Sequence, residues 1–338
     1  MNNNSSSPSI YTIAKLAGTS VGTVSNVINH PERVSKALRE RVEAVMVEEK
    51  YLPHPLARAL SLGRNKMIAT ILFDISNPFF AEMSHCIDRD LQVRGYSLMV
   101  SGTDQSAELE AKVIKLLVNA GAEAIAICGT GSNTEQLLKL QDYGLPIMIF
   151  AQRSEDPRIP FVTVDDRQGM RSLGEHLIGK GVESFYFIHE PVNAIQHRDR
   201  YDGFMESIYD HGLDDSCVRL VTSESPSWDG GYGTAKNLLS ERPDELPECF
   251  VCLNDYTALG VCRALTQAGL KVGDDVLVTG FDDIPYAALL ESPLTTIKQP
   301  IEEMSKYLIG EVINAIENRT ISMNSHTFKA ELVVRESA

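Results

Sequence analysis

Carboxylates, amides and a single arginine recur in this chain directly after short apolar runs. DISNPFF follows the run MIATILF and presents Asn77, Phe79 and Phe80; FVTVDD ends in Asp165 and Asp166. ECFVCLND ends in Asn254 and Asp255, VLVTGFDD in Asp282 and Asp283, and TTIKQP offers Gln299. Arg200 stands in RYDGF, and the only tryptophan, Trp228, in the polar stretch SESPSWDGG. Amides, carboxylates and a guanidinium make paired hydrogen bonds to hydroxyls, and aromatic rings offer a flat apolar face. The chemistry suits a polyhydroxylated small molecule held by Phe79, Asp165, Arg200, Trp228, Asn254, Asp282 and Gln299. Each residue alone has a plainer explanation, since Asp after a strand caps a helix and Phe belongs in a core; the recurrence carries the reading. Arg200 would equally serve a sugar phosphate, a sugar acid or a purine.

Bond-making chemistry lacks its parts. There is no GxSxG, HExxH or GxxxxGK[ST], and the eight histidines are scattered. No catalytic residue, metal ligand or cofactor is expected. Cys249 and Cys252 form a lone CxxC inside an apolar run, which reads as core thiols rather than a zinc or redox site. The six cysteines show no disulfide spacing.

A second chemistry sits near the start, in SIYTIAKLAGTSVGTVSNVIN over residues 9–29. Ile10, Ile13, Ala14 and Ala17 share one face of a short helix, which Gly18 ends. Ser20 caps a second helix whose Val24, Val27 and Ile28 pack back on the first. The other face shows Ser20, Val21, Gly22, Thr23, Ser25, Asn26 and Asn29, small and amide groups suited to phosphates and base edges. This is a helix-turn-helix arrangement, whose second helix lies in the major groove of double-stranded DNA.

Charge supports that division of labour. Residues 1–66 hold nine basic and five acidic side chains, a net of +4, while the rest holds 22 against 41, a net of −19. A basic head gains from counterion release while an acidic body stays off the polyanion. So small a surplus predicts two heads acting together. The polar start MNNNSSSPS is no secretory signal, and no apolar run approaches the length of a membrane span, so a cytoplasmic, nucleoid-associated protein is expected.

These groups need scaffolds, and the pattern supplies two. SKALRERVEAVMVEEKY makes a third helix capped by Ser35 and buried through Leu38, Val42, Val45 and Met46. Pro53 and Pro55 stop it, and LARALSLG follows, amphipathic but too short to persist alone, a segment that would fold on DNA. From Met67 onward strand-like runs alternate with amphipathic helices, which implies parallel sheets covered on both faces. Some ten strands exceed one small sheet, so two similar doubly wound lobes are expected, with the ligand beyond the strand ends. The expected division is a helical head over 9–53, a hinge over 54–66 and a core over 67–338. Lobe one takes about 67–166 and 297–322, and lobe two about 167–296 and 323–338.

Across its length the chain resembles the lactose-repressor/galactose-repressor family of transcriptional regulators. IYTIAKLAGTSVGTVSNVIN, YLPHPLARAL, DISNPFF, RYDGF, CLNDYTALG, VTGFDD and PLTTIKQP match family motifs in family order. The resemblance implies a DNA-binding head, a hinge helix contacting DNA through His54, Ala57, Arg58 and Leu60, and a core like that of periplasmic sugar-binding proteins. It further implies a homodimer on a pseudo-palindromic operator, acting as a repressor of a carbohydrate-utilisation operon, with a sugar or sugar derivative as effector and a purine corepressor as the alternative. The chain departs from the family pattern at Thr12, Thr19 and Asn26, where Asp, Val and Arg are usual, and at His54, where Asn is common. Losing an arginine at the position of Asn26 should change operator preference. ELVVRESA ends without a heptad repeat, which favours a dimer over a coiled-coil tetramer.

Overall fold

The computed structural model describes residues 8–51, 65–190, 194–241 and 245–338. They belong to two units, Met1–Lys66 and Met67–Ala338. The first unit is helical: α1 (Ile10–Leu16), α2 (Val21–Asn29) and α3 (Lys36–Glu48). The Ser9 hydroxyl accepts from the Thr12 amide, and the Thr12 hydroxyl accepts from the Ser9 amide. Thr12, at a departure from the family pattern, thereby completes a reciprocal cap. Gly18 takes φ +59, a left-handed geometry that lets the Thr19 amide reach back to the Ala14 carbonyl. Ile13, Ala14, Ala17, Val24, Val27 and Val42 form the core of this unit. Ser35 holds the N-cap position of α3, but its side chain makes no capping bond.

The second unit opens with β1 (Met67–Leu72), α4 (Pro78–Gln92), β2 (Ser97–Gly102), α5 (Ala107–Asn119), β3 (Ala124–Ile127), α6 (Thr134–Asp142), β4 (Ile147–Phe150) and β5 (Phe161–Val164). It continues with α7 (Asp166–Gly179), β6 (Phe185–His189), α8 (Ile195–Asp210), β7 (Val218–Thr222), α9 (Trp228–Glu241), β8 (Cys249–Cys252), α10 (Asp255–Gln267) and β9 (Leu277–Thr279). It closes with β10 (Thr296–Lys298), α11 (Ile301–Asn318), β11 (His326–Phe328) and β12 (Glu331–Val333). One sheet runs β2-β1-β3-β4-β5-β11 and the other β7-β6-β8-β9, both with parallel pairing throughout. Strand β1 buries Ile68 and Leu72 on one face and Ala69 and Ile71 on the other, as a sheet covered by helices on both sides requires.

Three passages join the lobes: after Val164, between Lys298 and Ile301, and after Phe328. Allotting all of 323–338 to the second lobe is therefore corrected. Strand β11 lies beside β5 in the first sheet, and only then does the chain return to pair β12 antiparallel with β10. Helix α11 was also unanticipated, although Ile301, Met304, Leu308, Val312 and Ala315 are buried at helical spacing. Ser305 on α11 donates to Asp90 of α4 at 2.8 Å, fixing that helix to the first lobe. Among the described residues, no helix is long and apolar enough to cross a membrane.

Candidate functional site

Each sheet reverses its direction of growth once, between β1 and β3 in the first and between β6 and β8 in the second. Loops leaving the two strands at such a point diverge and leave a crevice beyond their carboxyl ends. The crevices face each other. Phe73, Asp74, Asn77, Phe79 and Cys128 come from the first, Gln196, Arg200 and Asn254 from the second. The cleft contains about 550 Å³ of space, counting the solvent at its open side.

Arg200 anchors the second-lobe wall. Its Nε donates to Asp166 at 2.7 Å and its Nη1 to the Leu253 carbonyl at 2.6 Å, with Nη2 3.7 Å from Asp282. The guanidinium lies flat over Phe281, 3.6 Å from the ring centroid. Asp282 accepts from Gln299 Nε2 at 2.7 Å and holds φ at +118, a strained geometry that aims the carboxylate inward. Burial pushes the Asp166 carboxyl up to about 6 and that of Asp282 to about 7, with Arg200 pulling both back. Buried carboxylates thus outnumber the buried guanidinium, which is already engaged. Gln196 Oε1 and Gln299 Oε1 are buried acceptors with no hydrogen-bond partner among the described residues. A ligand rich in hydroxyl donors would satisfy them; an anion would meet carboxylates.

Five of the seven anticipated ligand residues line this cleft: Phe79, Arg200, Asn254, Asp282 and Gln299. Asp165 does not. It is the exposed N-cap of α7, accepting from the Gln168 amide at 2.9 Å, and its neighbour Asp166 turns inward instead. Trp228 does not either. It begins α9 with its ring stacked on Tyr232, one helical turn along, at 5.3 Å and 4°. Trp228 lines a separate depression of the second lobe with Leu259, Tyr286 and Leu289, while Pro226, two residues earlier, reaches the cleft. Gln196 and His197 were missed because IQHRDR carries no strand-end signature; they enter through the first turn of α8. Asp255 serves the scaffold, accepting from the Thr296 hydroxyl at 2.5 Å and the Ile284 amide at 2.9 Å.

Two ion pairs cross between the lobes. Arg153, after β4, holds Asp199 of α8 through Nε at 2.6 Å and Nη2 at 3.0 Å, and Arg198 of α8 reaches Glu155. Behind the wall, Gly203 lets α8 approach α7 so closely that a Cβ there would lie 2.1 Å from the Arg167 carbonyl oxygen.

On the helical unit, the Ser20 hydroxyl caps α2, accepting from the Thr23 amide at 3.1 Å. Gly22 and Asn26 are exposed, Thr23, Ser25 and Asn29 half-buried, and Asn29 donates to Ser25 at 3.3 Å. Val21, expected on the DNA-facing side, is half-buried and packs on the core of this unit. The anticipated hinge contacts His54, Ala57, Arg58 and Leu60 lie outside the described residues. The cysteines are free, and those of the CxxC are both buried on β8. Among the described residues no cluster suits a metal ion.

Residues 9–54 match the family of bacterial regulatory proteins, lacI family, and residues 65–331 match periplasmic binding proteins and sugar binding domain of LacI family. The chain is 30% identical over 327 residues to the ribose operon repressor of Escherichia coli (strain K12), covering 96% of this chain and 98% of that protein. It is 28% identical over 338 residues to the HTH-type transcriptional repressor PurR of Aliivibrio fischeri (strain MJ11), covering 97% of each. In fold it is similar to the lac repressor dimer bound to operator and the anti-inducer ONPF, with a TM-score of 0.79 at 24% identity over 97% of this chain and 98% of that one.

Proposed function

This chain belongs to the lacI family of bacterial regulatory proteins, a DNA-binding transcriptional regulator and not an enzyme, and we propose that it represses a carbohydrate-utilisation operon under the control of a neutral sugar or sugar derivative. One observation carries the choice of effector. The cleft pairs its guanidinium internally and leaves the buried acceptors Gln196 Oε1 and Gln299 Oε1 without partners among the described residues. Hydroxyl donors complete such a wall, whereas a phosphate or sugar acid would face Asp166 and Asp282 with no cation to spare. The relative that is a ribose operon repressor supports a sugar. A purine corepressor is the second reading, favoured by the aromatic wall of Phe73, Phe79 and Phe80 and by the PurR relative.

In this reading the protein acts as a homodimer on a pseudo-palindromic operator, which the lac repressor of similar fold, a dimer bound to operator, supports. Ser20, Gly22, Thr23, Ser25, Asn26 and Asn29 face the major groove, and His54, Ala57, Arg58 and Leu60 contact the DNA from the hinge. The division into a head over 9–53, a hinge over 54–66 and a core from 67 carries this scheme. Effector binding changes how the lobes sit and so the stability of the DNA-bound state, which is the differential interaction a ligand needs to shift an equilibrium. A thermal-shift screen of the full chain with neutral sugars, sugar acids, sugar phosphates and purines tests the effector. Neutral sugars should raise the melting temperature; stabilisation by purines or phosphates alone would overturn the reading.

A further inference from the structure

The loop after β4 presents Arg153 and Glu155 on the first lobe, and the opening turns of α8 present Arg198 and Asp199 on the second. The residues alternating with the first two brace that loop. Gln152, buried, donates from Nε2 to the Gly129 carbonyl at 2.9 Å. The Ser154 hydroxyl donates to the Asp156 carbonyl at 2.8 Å and accepts from the Asp156 amide at 3.2 Å. Asp156 in turn accepts from Arg158, Nε at 2.9 Å and Nη2 at 2.6 Å. The helical side is braced as well. Gln196 and Arg200, before and after Arg198 and Asp199, line the cleft, and Arg200 is bonded to Asp166 and Leu253. Backbone on both sides is ordered before the charges meet, which removes part of the entropy cost that makes most surface pairs weak.

The two pairs run in opposite directions. Arg153 of the first lobe holds Asp199 of the second, and Arg198 of the second holds Glu155 of the first. A slide that exchanged partners would set Arg153 against Arg198 and Glu155 against Asp199, turning two attractions into two repulsions. A run of one sign on each lobe would tolerate that slide; the crossed pattern does not. Packed interfaces move between discrete arrangements rather than through a continuum, and here the charges mark one arrangement out.

We infer that Arg153, Glu155, Arg198 and Asp199 form one crossed-charge latch that selects a single register in which the lobes meet, so that the lobes close in that register or part. Because the latch shares the opening turns of α8 with Gln196 and Arg200, a ligand in the cleft and the latch stabilise the same arrangement. The latch therefore slows release of the ligand. That consequence rests on reading the cleft as the effector site; the latch itself does not.

The test uses the full-length protein with spin labels on two exposed positions, Tyr143→Cys in the first lobe and Asn237→Cys in the second. The half-exposed Cys217 is replaced by Ser, and labelled protein is diluted into unlabelled so that distances report on one molecule. Without ligand, pulsed dipolar spectra should give this parent one narrow distance, which about 1 M sodium chloride should broaden. Charge reversal in either pair, Arg153→Asp or Arg198→Glu, should add a second distance. Exchanging one pair, Arg153→Asp with Asp199→Arg, leaves two attractions but one sign per lobe, so the distances should spread. Exchanging both pairs, with Glu155→Arg and Arg198→Glu added, restores the crossing and should restore the narrow distance. Distances unmoved by both reversals overturn the latch. A one-pair exchange as narrow as the parent, or a two-pair exchange that stays broad, overturns the selection of register. Stopped-flow release of whichever of D-ribose, D-glucose and D-galactose binds should be about fivefold faster in Arg198→Glu, the upper worth of an exposed pair. Unchanged release overturns the link to the cleft. Binding of none of the three sugars counts against the cleft reading and takes that link with it, while the distances judge the latch separately.

Discussion

Arg153 of the first lobe grips Asp199 of the second through two hydrogen bonds, Nε to Oδ2 at 2.6 Å and Nη2 to Oδ1 at 3.0 Å. The two residues are 46 positions apart in the chain. Arg153 is half-exposed while the Asp199 side chain is 16% exposed, so solvent screens one partner more than the other. Arg153→Ala should favour the open cleft and weaken effector binding by up to about fivefold, since exposed pairs are worth up to about 1 kcal/mol. Calorimetry at low and high salt checks this. The native protein should lose more affinity with salt than the variant, which keeps the Arg198–Glu155 pair, and Asp199→Asn combined with Arg153→Ala should add little.

The carboxyls beside Arg200 make stability depend on pH in a stated direction. Asp166 is raised to about 6 and Asp282 to about 7, each from an ordinary value of 3.8. The folded protein therefore binds protons that the unfolded chain releases between these values. Their contribution to stability is full below about 4 and is lost as pH rises through 6 and 7. Unfolding by urea should show that Asp282→Asn flattens the decline in stability between pH 5 and pH 8. An unchanged slope would remove Asp282 from the account.

Arg200→Ala should destabilise the core by about 3–5 kcal/mol at neutral pH, because it strands Asp166 and Asp282 without their shared cation. Much of that loss should be recovered at pH 5, where both carboxyls take up protons. Arg200→Lys should fare poorly as well, since an ammonium cannot reproduce the flat stacking on Phe281 or the separate bonds to Asp166 and Leu253. Denaturation curves at the two pH values separate the charge effect from simple loss of packing.

Gly203→Ala should destabilise the protein by about 1–3 kcal/mol, the usual range for overpacking. The added carbon would meet backbone, 2.1 Å from the Arg167 carbonyl oxygen, rather than a yielding side chain. Because Gly203 lies less than one turn from Arg200 on α8, the shift should also weaken effector binding. Calorimetry alongside denaturation should show both losses together.

On the helical unit, Asn26→Ala should alter base preference at one position per half-site by about 1–3 kcal/mol. Gly22→Ala should fold normally, since its Cβ would meet only the Ser20 hydroxyl at 3.7 Å. Selection from randomised operators reads both. A preference unaltered by Asn26→Ala would remove that side chain from base recognition.

Local physics was legible in the chain. Gly18 and Ser20 announce the end of one helix and the start of the next, because caps depend on bonds a few residues long. The alternation of apolar runs with amphipathic stretches determined two parallel α/β lobes, since the periods of strand and helix are properties of the backbone. Arg200, Asn254 and Asp282 were visible because the motifs around them end strands or begin helices. Tertiary structure decided which of two adjacent carboxylates turns inward: Asp165 is consumed by the cap of α7, and Asp166 meets Arg200 across 34 positions. It decided that Trp228 stacks on Tyr232 away from the cleft, that β11 returns to the first sheet, and that Glu190 faces His197. Those outcomes depend on contacts between segments far apart in the chain. Sequence spacing carries no measure of such contacts until the lobes have packed.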